Sequence, residues 1–313
     1  MDWTDNNAPY CSLDLETNEN GEIFAIGAVF KDKTFKRKAP FDVRRALAEL
    51  DDFTADSGYL LGHNLLRHDL PICRAIAPDL EFLNKPVVDT LFLSPLAFPE
   101  NPYHRLVKDY KLVRDSLNDP LADARLAISL FQDQWIALQE QQQHFGILSF
   151  YHYVFSGDNQ FSGLQQVLIA MGAEPVQASK AFDCFKRLTQ GRVCDTAFSK
   201  VVLRYLPDPQ KRPALAYCLA WLRVAGGNSV LPPWVRLEFH DVAPILSQLR
   251  DIPCNGPEVS AHLPLYKRGI EGDLSNKISP NPSFPKRGTE RLPQKQIGLY
   301  PEHGIENSVR AAH

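Results

Sequence analysis

Two almost wholly apolar runs, Tyr10 to Leu15 and Ile23 to Phe30, flank the polar stretch Asn18-Glu-Asn-Gly21. Such runs on either side of a turn-forming cluster predict two buried strands joined as a hairpin. Phe35 to Phe41 is rich in Lys and Arg and predicts a third strand, polar enough for a sheet edge. Asp42 is positioned to cap a helix running to about Asp52, with Val43, Ala46, Leu47 and Leu50 on one face. Ser57-Gly58 ends it, and Tyr59-Leu-Leu-Gly-His-Asn64 reads as a short apolar strand with a polar end. A further helix is predicted to start near Asp69, with Pro71 in its first turn, where a missing N–H costs nothing. Val87-Val-Asp-Thr-Leu-Phe-Leu93 is a strand or a strand-to-helix corner, and Tyr103 to Tyr110 reads as a helix. Asn118 or Asp119 then caps a long helix with Pro120 at its first position. Its stripe of Leu121, Ala124, Ile128, Phe131, Trp135 and Leu138 alternates steps of three and four.

This succession is an α/β pattern on a mixed sheet flanked by helices, expected to fill a first domain over residues 8–140. Beyond it the periodicity turns helical. Ser162 to Met171, Asp195 to Tyr205, Pro213 to Ala225 and Phe239 to Arg250 predict a small, mostly α-helical domain over residues 145–258. Gly226-Gly-Asn-Ser and Leu231-Pro-Pro-Trp234 separate the last two of those helices. Residues 263–313 are rich in Pro, Gly, Asn, Lys and Arg without either period, and are expected to form a disordered tail.

Composition narrows the function classes. Of 313 residues, 44% are apolar and 23% charged, the balance of an ordinary globular chain, and a net charge of −3 gives no overall basic character. Of the six cysteines, none forms a C-x-x-C pair, so neither a zinc site nor a disulfide framework is indicated. The polar N-terminus Met1-Asp-Trp-Thr-Asp-Asn-Asn is no signal peptide, and no apolar run approaches a membrane span. A reduced, cytoplasmic protein without membrane contact is expected.

Candidate chemistry begins in Cys11-Ser-Leu-Asp-Leu-Glu-Thr17. In a strand, Asp14 and Glu16 share one face while Leu13 and Leu15 point the other way into a core. Two carboxylates held together on a buried strand stay ionised only with positive charge between them, typically a divalent metal. Asp69 in Gly62-His-Asn-Leu-Leu-Arg-His-Asp69 and Asp123 in Asn118-Asp-Pro-Leu-Ala-Asp123 are further acids at a strand end and a helix start. Four such carboxylates can converge at one end of a sheet. Oxygen ligands suit Mg²⁺ or Mn²⁺, and two such ions serve in-line phosphoryl displacement.

Asp-x-Glu, then Gly-His-Asn with Asp a few residues on, then Asp at the head of a late helix resembles the DEDD exonucleases of the DnaQ-like, ribonuclease-T-like superfamily. The resemblance covers about residues 10 to 138. It implies a ribonuclease-H-like fold and 3′–5′ hydrolysis of nucleic acid with two Mg²⁺ or Mn²⁺ ions. Carried over, Asp14 bridges both metals, Glu16 and Asp123 hold the one that activates water, and Asp69 completes the ligand set. Thr17 lies beside the 3′ nucleotide, and His63 and Asn64 line the floor. Asp89 is expected to be a cap rather than a ligand.

The family places a His five residues before its last Asp in one branch, or a Tyr four residues before it in the other. Here Asn118 and Asp119 stand there, and neither supplies an imidazole or a phenol. His104 and His68 are the alternative bases, His68 being expected to point away from the metals. Lys and Arg between residues 105 and 114, with Tyr103 and Tyr110, suggest a phosphate track with stacking platforms.

A second resemblance runs to about Cys254. Asn101-Pro-Tyr-His-Arg-Leu-Val-Lys, Asn118-Asp-Pro-Leu-Ala-Asp-Ala-Arg-Leu and Ala220-Trp-Leu-Arg-Val-Ala-Gly-Gly-Asn-Ser are similar to the N-terminal exonuclease-like region of large bacterial RecQ-type DNA helicases. No G-x-x-x-x-G-K-S/T phosphate loop follows, so a truncated or split relative is implied, with a separately encoded helicase as partner. The leading expectation is therefore a metal-dependent exonuclease acting on DNA ahead of RNA. The alternatives are a weak or inactive nucleic-acid or protein binding module, and an α/β domain whose acids are ordinary caps.

Overall fold

The structure is a computed structural model that describes residues 3–5, 8–100, 119–142, 146–224 and 231–251. The expected helix at Tyr103–Tyr110 and the expected tail over residues 263–313 lie outside the described residues. Five strands form one mixed sheet: β1 (Tyr10–Thr17), β2 (Ile23–Phe30), β3 (Lys33–Lys38), β4 (Tyr59–Gly62) and β5 (Val87–Asp89). Their order is β3-β2-β1-β4-β5. The β1–β2 and β2–β3 pairs are antiparallel, and β1–β4 and β4–β5 are parallel. Helix α1 (Val43–Thr54) begins at Asp42, whose side chain accepts from Arg45 N at 3.0 Å. Helices α2 (Leu70–Ile76) and α3 (Thr90–Ala97) follow β4 and β5. The long helix α4 (Pro120–Gln142) lies across β1 and β2. The α/β class with a mixed sheet flanked by helices is what the pattern predicted.

Local departures from the predicted boundaries have physical causes. Strand β3 starts earlier and ends earlier than the Phe35–Phe41 prediction. A tight turn with Lys31 at φ 56° brings the chain back at once, and Pro40, without an N–H, cannot extend the ladder. The predicted helix near Asp69 is preceded by a π-helical turn, Leu65–Asp69, that runs directly into α2. The stretch from Val87 is a corner: β5 ends at Asp89, which caps α3 by accepting from Leu91 N at 3.0 Å.

The second half consists of α5 (Ile147–Phe155), α6 (Ser162–Ala170), α7 (Ala178–Leu188), α8 (Asp195–Tyr205), α9 (Pro213–Val224), α10 (Pro233–Glu238) and α11 (Val242–Asp251). Helices α5, α7 and α10 were not among the predicted ones, and α10 begins at Pro233, inside the Leu231–Trp234 stretch expected only to separate helices. Helix α5 is nearly all apolar, and only Ser149, His152 and Tyr153, at steps of three and one, mark its half-buried face, too faint a stripe to stand out in the sequence. In α7, Ala181, Cys184 and Phe185 do repeat at helical spacing, a signal that could have been read.

Two apolar layers sandwich the sheet. On one face Leu13, Leu15, Ile26, Leu47 and Leu50 pack with α1 and α2. On the other, Tyr10, Leu61, Val88, Phe92 and Phe131 join a single core with the helical half. Phe92 of α3 meets Trp234 at 5.2 Å and Phe161 at 5.6 Å, and Tyr217 donates from its hydroxyl to the Phe92 carbonyl at 3.2 Å. A Cβ on Gly163 would lie 2.2 Å from the Val87 carbonyl oxygen, so α6 packs against β5 through bare backbone. No helix among the described residues is long and apolar enough to cross a membrane.

Candidate metal centre

Strand β1 grades from apolar to acidic along the face under α4. Tyr10 packs in the core, and the Ser12 hydroxyl donates to the Ala124 carbonyl of α4 at 2.8 Å. Asp14 and Glu16 follow on the same face, while Cys11, Leu13 and Leu15 fill the opposite layer. A β-bulge between Glu16 and Thr17 ends the regular register, leaving Thr17 half-buried beside the acids in sequence.

Asp123 reaches this face from the first turn of α4, which is held by three contacts. Asp119 caps the helix, accepting from Leu121 N at 3.1 Å. Lys36 of β3 donates to both Asp119 oxygens at 2.8 and 2.9 Å. Gly27 of β2 lies directly beneath the helix, where a Cβ would come within 2.3 Å of the Pro120 and Leu121 backbone. The result is that Asp14, Glu16 and Asp123 each present an oxygen within 4.8 Å of the others.

Asp69, at the end of the π-helical turn, is buried. Its Oδ1 accepts from Leu15 N at 3.2 Å, which anchors it to β1 between the two acids of that strand. It falls outside the three-residue cluster but is the carboxylate acting most strongly on Asp14. His68 was expected to point away. Instead its Nδ1 lies 3.6 Å from Asp69 Oδ1, and that hydrogen-bonding partner pushes the His68 pKa up.

His63 and Asn64 form the turn that leads into Asp69. Thr90 Oγ1 lies 3.0 Å from the Gly62 carbonyl and 2.9 Å from His63 Nδ1. Its single proton satisfies both contacts when it goes to Gly62 and His63 Nδ1 donates back, which leaves Nε2 as an acceptor. Burial pushes the His63 pKa down to about 4, so the ring is neutral near pH 7. Asn64 takes a left-handed φ of 67°, and its backbone N–H donates to Asp89 Oδ1 at 2.8 Å. Its side-chain Oδ1 is buried without a hydrogen-bond partner. Asp89 is thus a cap and a turn anchor. Arg67 in the same π-helical turn pairs with Glu238 of α10 at 3.0 Å and lies over the Trp234 ring at 6.0 Å. Tyr103, His104 and Asn118, and the basic run between 105 and 114, lie outside the described residues.

The electrostatics are those of crowded anions. At an effective dielectric of about 20, two carboxylates this close repel by about 3 kcal/mol. Burial and then the charges of Asp69, Asp123 and Glu16 hold the Asp14 carboxyl well above the usual carboxylate range. Burial, then Asp123 and Asp69, push Glu16 up to about 7, and burial and Asp119 push Asp123 up to about 6. Burial raises Asp69 as well, against the opposing pull of His68. The nearby ammonium of Lys36 is engaged by Asp119, whose pKa it lowers. A hard divalent cation fits this donor set: clustered carboxylate oxygens with unrelieved charge suit Mg²⁺ or Mn²⁺.

Sequence reasoning passed over Gly27, Ser12 and Lys36. An isolated Gly inside the apolar run Ile23 to Phe30 was a readable sign of close backbone approach. The roles of Ser12 and Lys36 depend on pairings across 112 and 83 residues, which no local signal carries. No protein-family model, curated protein or solved structure matches this chain.

Proposed function

We propose that this chain is a metal-dependent 3′–5′ exonuclease of ribonuclease-H-like fold, related to the DEDD exonucleases and hydrolysing phosphodiester bonds of DNA ahead of RNA. The observation that supports it most is the convergence of Asp14, Glu16 and Asp123 within 4.8 Å on one sheet face. The strand order β3-β2-β1-β4-β5, with only its first two pairs antiparallel, agrees with that fold. Asp14, Glu16 and Asp123 would hold the divalent ions, with Asp69 completing the set. Two such ions supply Lewis acidity at the attacking water and at the leaving oxygen of the phosphate. The chain's own residues then have separate tasks. Asp69, fixed by Leu15 N and His68, keeps the acid cluster oriented. Neutral His63 and Asn64, whose buried Oδ1 has no hydrogen-bond partner, form the turn that leads into Asp69. Thr17 follows the acids just past the bulge, as the last residue of β1, where it would meet a terminal nucleotide.

The test is loss of label from a 3′-labelled oligonucleotide in Mn²⁺. Asp14→Ala is expected to lower that rate by at least about a thousandfold, since the acid cluster then lacks its central member. Equal rates in the two proteins would end the nuclease reading.

A second reading, a catalytically weak or inactive binding module, draws on one observation. Asp119 stands where one branch of the resembling family carries its Tyr, and it is committed to capping α4 and pairing with Lys36. Asn118→His, which restores an imidazole at the other branch's position, is expected to speed hydrolysis. A general base is typically worth about 10²- to 10⁴-fold. A variant no faster than the parent, with tight oligonucleotide binding in both, would favour the module.

A further inference from the structure

The π-helical turn Leu65–Asp69 delivers Asp69 to the acid cluster, and it is held from two sides. At its start, Asp89 accepts from Asn64 N at 2.8 Å and from Leu66 N at 3.0 Å. At its end, Asp69 accepts from Leu15 N of β1 at 3.2 Å. Between these anchors stands Arg67. Residues two apart in a helical turn do not share a face, so Arg67 leaves the turn on a different side from Asp69.

On that side it meets α10. Arg67 Nε lies 3.0 Å from Glu238 Oε2, and the guanidinium lies over the Trp234 ring at 6.0 Å. Trp234 and Glu238 are four residues apart and share a face of α10. Trp234 is buried, with the Phe92 ring at 5.2 Å and the Tyr217 ring at 6.0 Å, so this face is seated in close-packed core. The side chains of Arg67 and Glu238 are 20% and 29% exposed, against 63% and 76% in the solvated Lys180–Glu174 pair. Glu238 gains nothing from its own helix, because a carboxylate on the last residue opposes the helix dipole. Its partner lies in the turn that carries Asp69.

We propose that the helical half positions a metal ligand: Glu238 and Trp234 of α10 hold Arg67, and Arg67 holds the π-helical turn so that Asp69 reaches a divalent cation beside Asp14. Arg67 and Glu238 are positioning residues, and neither is a ligand. The proposal rests on the metal reading above and gives the helical half a task in it. Contacts that support a ligand from behind are typically worth about 10- to 100-fold in metal affinity. An ordinary packing pair between the two halves would change stability and leave the cation affinity of the folded protein alone.

The experiment is a Mn²⁺ titration of the full chain, followed by the EPR signal of the free ion, with urea unfolding of each variant to establish that it is folded. Glu238→Gln and Arg67→Met are each expected to weaken Mn²⁺ binding about tenfold. The double variant should lose no more than either single one, because the two side chains act as a unit. Glu238→Asp keeps the charge and shortens the reach; it carries the same expectation and serves where Glu238→Gln does not fold. The sign for Arg67→Met separates positioning from plain charge, since removing a cation near four carboxylates would by itself tighten Mn²⁺ binding. Glu49→Gln loses a carboxylate paired with Arg37 and Arg45 beside α1, and should bind Mn²⁺ like the parent. Unchanged or tighter binding by Arg67→Met, losses that add in the double variant, or an equal loss in Glu49→Gln overturns the assignment. If the parent binds Mn²⁺ and trims a 3′-labelled oligonucleotide while Glu238→Gln and Arg67→Met bind Mn²⁺ as it does, this proposal alone falls. A parent that binds no Mn²⁺ removes the metal reading and this proposal together.

Discussion

In EDTA, the unfolding free energy falls by up to about 1.4 kcal/mol per pH unit as pH rises from about 6.5 through about 7, and Mn²⁺ abolishes that fall. The first half follows from proton linkage. A carboxyl whose folded pKa is raised holds its proton more tightly in the folded state, so its contribution is full below the unfolded pKa and is lost as pH rises through the folded one. Asp14 is held well above the carboxylate range, and Glu16 is raised from 4.5 to about 7. His68, raised by Asp69, acts in the same direction. His63 is lowered from 6.5 to about 4, so its contribution is lost as pH falls below 6.5 and is constant above it. The alkaline window therefore excludes His63 and reads the acid cluster together with His68. Each proton that the folded cluster still holds adds about 1.4 kcal/mol per pH unit to the fall. Solvent access at Glu16 keeps its own share small.

The second half follows from competition between cation and proton for the same oxygens. Mn²⁺ at a hundredfold excess over its dissociation constant stabilises the folded state by about 2.7 kcal/mol and removes the need for the bound proton. Asp14→Asn relieves the repulsion on Asp69, Asp123 and Glu16 together. In EDTA at pH 8 it is expected to be more stable than the parent, with a flatter pH profile and no response to Mn²⁺. Urea unfolding at the two pH values, with and without Mn²⁺, measures all of this. Parallel profiles for parent and variant would show that the carboxylates are not coupled as their positions require.

Gly27→Ala is expected to destabilise the protein by about 3 kcal/mol and to remove the Mn²⁺ response. The added methyl would sit 2.3 Å from the Pro120 carbonyl carbon and the Leu121 nitrogen. Both are backbone atoms, so no rotamer change relieves the contact, and the start of α4 must lift from the sheet. Asp123 lies on that same turn and would move away from Asp14 and Glu16. Gly58→Ala is the control: there a Cβ meets only the Pro9 carbonyl oxygen at 3.7 Å, an ordinary contact. A shift within about 0.5 kcal/mol is expected for it. Equal urea midpoints for the two variants would mean that α4 is not seated on Gly27.

Much of the first half could be read directly from periodicity. The hairpin, the capped helix after Asp42 and the long helix after Pro120 all announce themselves within a few residues, because caps, turns and buried runs are local devices. The π-helical turn did not, since Leu65–Asp69 differs from an α-helical start by backbone geometry rather than composition. That turn also carries His68 to Asp69, against the expectation that it would face elsewhere.

By itself the sequence determined the α/β class, the strand that carries Asp14 and Glu16 on one face, and the helix start that carries Asp123. Alternation, capping and helical spacing operate over a handful of neighbours, so these are legible in a linear string. The tertiary structure alone decided how close those acids come, through Gly27 under Pro120 and the Ser12 hydroxyl on Ala124. It also decided that Arg67 meets Glu238, and that Phe92, Trp234 and Phe161 make one core of the sheet's α4 face and the helical half. Distances between groups a hundred residues apart are set by how whole elements pack, and packing is a property of the assembled layers rather than of any segment.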